Sequence, residues 1–132
     1  MTHIRVVKKI PGLGIIISWI DDDLAEFQKF VDGYIETVPL AGTPGILLIV
    51  NEEGKLRGMK PNIINGGDVL VGPVMAVRAG SEDFISLTDD DIPTVCEALS
   101  AADVSVQKYT DEPERDESEA VYASVPDIPA EA

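Results

Sequence analysis

The rhythm of hydrophobic and polar positions changes several times along the chain, and each rhythm predicts an element. Residues 4–10 mix β-branched residues with partial alternation, residues 11–14 (Pro11, Gly12, Leu13, Gly14) carry turn chemistry, and residues 15–20 are a short apolar run, so two strands joined by a turn open the chain. Three aspartates follow, and the period then lengthens. Leu24, Phe27, Val31 and Tyr34 recur at three- and four-residue steps, with Glu26, Gln28 and Lys29 between them, which predicts an amphipathic helix. Asp22 or Asp23 supplies its N-cap, Glu26 stands where a capping box needs it, and Gly33 suits a left-handed stop.

Residues 34–40 alternate again, and Pro39 marks that strand as an edge or a strand end. Residues 46–50 are apolar at consecutive positions, as expected of a central strand covered on both faces. Residues 51–54 turn the chain back into a partner strand over 55–59, with Gly54 in the left-handed position of a bulged hairpin. An irregular stretch over 61–67 precedes a strand over 69–77 that Gly72 and Pro73 interrupt, and residues 84–87 lead into a second helix. The run from Ile17 to Leu24 aligns with that from Ile85 to Ile92, each passing through an aspartate triplet; an internal duplication and two separate solutions to one capping problem both account for this. Asp90 or Asp91 caps the second helix, which places Pro93 in the first turn, where its missing N–H has no intrahelical partner. Residues 104–109 add a last edge strand. Runs of strands with segregated helices predict an α+β domain: a mainly antiparallel sheet with two helices packed on one face.

Charge divides the chain. Its 132 residues include 24 acidic and 10 basic side chains, a net charge of −14. Residues 110–132 hold eight of the acids against Arg115 and few large apolar residues, so they read as a disordered acidic tail after a single domain over 1–109. No apolar run approaches the roughly 20 residues of a membrane span, the first residues do not open a signal peptide, and Cys96 is alone, so the expected setting is the cytoplasm of a bacterial host cell. An acidic chain is repelled by phosphate backbones and anionic membranes, which argues against direct nucleic-acid or membrane binding and leaves room for a protein that imitates nucleic acid.

Catalytic chemistry finds little to work with. His3 stands near a fraying terminus, and Cys96 lies beside the apolar face of the second helix in acidic surroundings that do not activate a thiol. With no Ser-His-Asp or Cys-His pair, no enzyme activity and no cofactor are expected. The aspartate triplets sit where helices need caps and lack the glycine and distal glutamate of a calcium loop, so no metal is expected either. Gly12 and Gly14 are followed by an apolar run where a phosphate-binding helix would begin. The body's scarce positive charge is more suggestive: Lys8, Lys9, Lys55, Arg57 and Lys60, with Asn51, Asn62 and Asn65 and the Gly66-Gly67 backbone as donors, form a candidate anion site. The competing reading is that the same cations merely block edge-to-edge pairing of an exposed hairpin.

Leu24, Phe27, Val31, Gly33, Tyr34, Ile35 and Glu36, then the segment from Ile49 to Leu56, then Asn62, Val71, Gly72, Pro73 and the segment from Phe84 to Asp91, resemble a family of small proteins of bacteriophages, mobile elements and mostly Gram-positive bacteria catalogued as domain of unknown function 3846. The resemblance runs from about Val6 to Leu99 and brings no catalytic residues. It implies an accessory protein that counters host defence, for which two mechanisms fit. One is sequestration of a host nucleotide signal or other small anion through Lys8, Lys9, Asn51, Lys55, Arg57, Lys60 and Asn62. The other is occlusion of a nucleic-acid-binding host protein by an acidic, DNA-like surface. Uncovered strand edges also make a homo-oligomer an expected partner.

Overall fold

The computed structural model describes residues 2–106, and the tail expected over 110–132 lies outside them. Among the described residues are eight strands and two helices: β1 (His3–Lys9), β2 (Ile15–Asp21), α1 (Leu24–Val31), β3 (Ile35–Pro39), β4 (Ile46–Asn51), β5 (Pro61–Asn65), β6 (Asp68–Val71), β7 (Val74–Ala79), β8 (Phe84–Ile85) and α2 (Asp91–Ala102). Five strands form one antiparallel sheet in the order β2-β1-β7-β4-β3, β8 pairs with the end of β7, and β5 and β6 form a separate hairpin. The domain is α+β with an antiparallel sheet, as its strand-rich order predicts.

The helices do not share a face. In β4 and β7 successive apolar side chains point to opposite sides of the sheet, so both sides need cover. Val6, Ile49, Met75 and Val77 pack with Phe27 and Val31 of α1 on one side. Val7, Ile46, Leu48, Val50, Val74 and Ala76 pack on the other with Ile92, Val95 and Leu99 of α2 and with Ile63 and Leu70 of the β5–β6 hairpin. Placing both helices on one side would leave Ile49, Met75 and Val77 in water, at about 1.5–3 kcal/mol for each large side chain. The expectation of a one-sided helical layer is corrected on this ground: the consecutive apolar run predicts two covered faces, and two helices must then divide. α1 carries the chain across its face from β2 at one sheet edge to β3 at the other.

Three local expectations change as well. Residues 52–58 form successive turns, with Arg57 N–H donating to the Glu53 carbonyl at 2.9 Å and Met59 N–H to the Gly54 carbonyl at 3.0 Å; good helix formers at Glu52, Glu53, Lys55, Leu56 and Arg57 favour this over a strand. Gly54 is not left-handed: a Cβ there would stand 2.8 Å from Val71 Cγ2, so the residue serves close packing under β6. The stretch expected to be irregular is β5, joined to β6 through Gly66 and Gly67 at φ 59° and 89°, the pair of positive values that a two-residue hairpin turn requires. Of the edge strand expected over 104–109, residues 104–106 are helical and 107–109 lie outside the described residues; Asp103 makes an antiparallel bridge, to Ile63.

One aspartate of each triplet takes part in a helix cap. Asp23 caps α1, accepting from Ala25 N–H at 3.0 Å, while Asp32 rather than Gly33 takes the left-handed position at its end. For α2 the cap is Thr88. Its Oγ1 accepts from Asp91 N–H at 3.1 Å and Asp91 Oδ2 accepts from Thr88 N–H at 2.8 Å, a reciprocal capping box, whereas Asp90 makes no side-chain cap bond. Thr88→Ala is therefore expected to lower stability by about 1 kcal/mol and Asp90→Ala by less than about 0.5 kcal/mol, read as urea midpoints at constant slope.

Candidate functional site

Lys9 is the last residue of β1 and, two positions after the buried Val7, its side chain points into the core. Only 3% of that side chain is exposed, and the ammonium ends among three acceptors: Asp103 Oδ2 at 2.6 Å, Asn62 Oδ1 at 3.0 Å and the Leu13 carbonyl at 3.3 Å. Three donors meet three acceptors, which is the condition for keeping a charge in the interior. Asn62, fully buried on β5, donates onward to the carbonyls of Lys9 and Gly72, each at 2.8 Å. Asp103 also accepts from Ser105 N–H at 2.8 Å and Ser105 Oγ at 2.6 Å. The Lys9 ammonium, and after it the Ser105 hydroxyl, hold the Asp103 carboxyl down to about 2. This network ties the first strand, the β5–β6 hairpin and the end of α2 into one body.

The other cations and amides of the expected anion site do not converge on it. Asn51 is buried at the end of β4, donates to the Val31 and Asp32 carbonyls at 2.9 and 3.1 Å and accepts from Glu53 N–H at 2.7 Å. Arg57 reaches the same helix end, binding the Asp32 carbonyl and, at 2.9 Å, its carboxylate; together they satisfy the last two carbonyls at the end of α1, those of Val31 and Asp32. Lys55 pairs with Asp68 at 2.9 Å. Lys8 lies on the α1 side of the sheet, 5.2 Å from the Phe30 ring centroid. Lys60 is exposed and makes no ion pair among the described residues, and Asn65 bonds Ala41 N–H and the Pro39 carbonyl. Lys9 and Asn62 are thus brought together, as are Asn51 and Arg57, but the two pairs serve different parts of the frame.

What does open to solvent is a groove of about 410 Å³ between the β3–β4 edge, the turns over 52–56 and β6. Val38, Val50, Val69, Leu70 and Val71 contribute an apolar floor, and Glu36, Glu52, Glu53, Asp68 and Lys55 the charges around it. The lysine is already paired with Asp68, so Glu36, Glu52 and Glu53 remain without a cation among the described residues. The groove is therefore a negative site with an apolar floor, suited to a ligand with positive charge on an aliphatic or planar stem. Sequence reasoning missed it because these acids come from three separated segments that only the β3–β4 register and the hairpin bring together.

Comparison with family models places this frame. The model described as Domain of unknown function (DUF3846) matches residues 4–100. The chain belongs to that family. Comparison with curated proteins and with solved structures found no match. The DUF3846 match takes in the sheet from Ile4 onward, both cap systems and the groove, and ends three residues before Asp103, so one partner of the buried lysine lies beyond the family segment.

Two further reactive groups of this DUF3846 chain, Asp91 and Cys96, lie on α2. Arg78 grips Asp91 with two bonds of 2.8 and 2.7 Å, and the guanidinium holds that carboxyl well below the ordinary carboxylate range. Burial pushes the Cys96 thiol up, away from the thiolate that nucleophilic chemistry needs. Among the described residues no group of three or more His, Cys, Asp or Glu is arranged to hold a metal ion, and no helix is long and apolar enough to cross a membrane.

Two outcomes follow from the buried network. Asp103→Ala strands the Lys9 charge and is expected to cost about 3–5 kcal/mol in chemical denaturation, more than Lys9→Met, which leaves the partly exposed Asp103 with its Ser105 donors. Because the folded-state value of Asp103 lies below the ordinary 3.8, its stabilisation is present above about pH 4 and is lost as pH falls through about 2. Urea midpoints between pH 5 and pH 2 should therefore fall more steeply for the wild type than for Asp103→Asn.

Proposed function

We propose that this chain is a non-catalytic, acidic protein-interaction module that engages cationic side chains of a partner protein through the groove beside β3 and β6. One observation carries the reading: Glu36, Glu52 and Glu53 face the groove uncompensated, while Lys55, the one cation lining it among the described residues, is held by Asp68. Arginine or lysine side chains laid on the apolar floor would meet three carboxylates at once, and their stems would cover Val38, Val69 and Val71. In the setting implied by the resemblance to phage and mobile-element accessory proteins, the partner is a nucleic-acid-binding host protein in the bacterial cytoplasm. Its basic surface would be occluded in place of nucleic acid.

The electrostatics weigh against a nucleotide in the same place. Phosphates entering the groove would meet Glu36, Glu52 and Glu53, and Arg5, Lys9, Lys55, Arg57 and Arg78 are each engaged by an aspartate of the chain itself. Isothermal titration of the full chain with an arginine-rich peptide and, separately, with a mixture of nucleotides tests the choice. The peptide is expected to bind, at least about tenfold more weakly to the Glu36→Gln/Glu52→Gln/Glu53→Gln variant and more weakly as salt shortens the screening length below about 10 Å. Nucleotide binding tighter than peptide binding, or peptide binding indifferent to the three glutamines, would overturn the reading.

A further inference from the structure

The two edges of the main sheet are treated differently. β3 carries Glu36 and Pro39, residues that discourage pairing with another strand. β2, at the opposite edge, runs from Ile15 to Ile20 without a charge, and Ile16, Ile17 and Trp19 are 46%, 47% and 62% exposed. The backbone groups it leaves unpaired among the described residues can be assigned. Asp22 N–H donates to the Thr2 carbonyl at 2.8 Å in the same register that pairs Ile20 with Ile4 and Ser18 with Val6. In an antiparallel ladder bonded pairs alternate, so Ile15, Ile17, Trp19 and Asp21 turn their N–H and C=O groups away from β1. The other side of β1 agrees: Arg5, of the opposite parity to Ile4 and Val6, bonds Ser86 and Leu87 beyond it.

From this pattern we infer that β2 is the contact between two copies of the chain, paired antiparallel about a twofold axis through Ser18 so that one sheet runs across the dimer. The strand is complementary to itself in that register. Ile17 stands opposite Trp19 of the second copy and Ile16 opposite Ile20, giving apolar cross-strand neighbours on both faces, while Ile15, Ile17, Trp19 and Asp21 supply the bonded pairs. Charge selects the same arrangement in a chain of net −14. The only charge on the strand, Asp21, falls opposite Ile15, and the two copies of Asp21 stand six residues apart along the ladder, roughly 20 Å, beyond the ~8 Å screening length of physiological salt. Arg5, whose guanidinium lies 5.9 Å from the Trp19 ring centroid, would cap the joined indole. The groove lies by β3 and β6, away from this edge, so both copies keep theirs open.

Trp19 is the chain's only tryptophan, which makes the test direct. Sedimentation velocity of the full chain from about 1 to about 300 μM should show a monomer–dimer equilibrium, with the fluorescence maximum shifting to shorter wavelength as the dimer fills. Ile17→Lys, at an exposed position, is expected to weaken the dimer at least about tenfold, while Tyr34→Lys, at a still more exposed position before β3, leaves it unchanged; both should keep the wild-type circular dichroism. A chain that stays monomeric throughout, or a dimer that Ile17→Lys leaves intact, would overturn the inference.

Discussion

One buried charge organises this domain. Lys9 points into the side of the sheet where the core is otherwise made of Val7, Leu48, Val74 and Ala76, and a lysine there is tolerable only because Asp103, Asn62 and Leu13 supply an acceptor for each proton. Those acceptors come from the segment after α2, from β5 and from the β1–β2 turn. The requirement to satisfy one ammonium therefore fixes the relative positions of elements that are distant in sequence. Apolar burial holds α2 and the β5–β6 hairpin against the sheet, but burial is non-directional, and the geometry of the network sets where they come to rest.

The groove inherits its shape from that constraint. Its β6 wall is part of the hairpin that Asn62 anchors, and its other walls are β3, β4 and the turns that Asn51 fastens to the end of α1. Five cations go to the frame: Arg5, Lys9, Lys55, Arg57 and Arg78 each hold an aspartate. What the groove itself offers a partner is carboxylate. The acids of the described residues thus separate into those that cap or pair, such as Asp23, Asp91 and Asp103, and those that face outward, such as Glu36, Glu52 and Glu53.

Most elements of the fold are legible in the sequence because their signals are local. The apolar period of α1 with its aspartate cap, the consecutive apolar run of β4 and the break at Gly72 and Pro73 all predict what the structure contains. Long-range relations are not legible in the same way. Lys9 and Asn62 stand out by residue type, yet their roles depend on a contact across 53 positions and on Asp103, which nothing nearby singles out. The parity of Lys9 with Val7 is the available clue, because a charge on the inward face of a strand must have a partner. The two-sided cover of the sheet is likewise implicit in β4, where five consecutive apolar residues leave no face for solvent. Thr88 is masked as a cap by the aspartates beside it, which by residue type suit the same position.

The division of charge between frame and groove can be observed directly by nuclear magnetic resonance of the full chain, following the Lys9 ammonium by its nitrogen and the glutamate carboxylates by their carbon. On addition of an arginine-rich peptide, Glu36, Glu52 and Glu53 are expected to shift together while the Lys9 ammonium stays visible, protected from exchange and unmoved, and nucleotides are expected to disturb neither. If nucleotides shift the Lys9 ammonium while the three glutamates stay still, the lysine network binds ligand and is not a purely structural tie, which contradicts the division of charge between frame and groove.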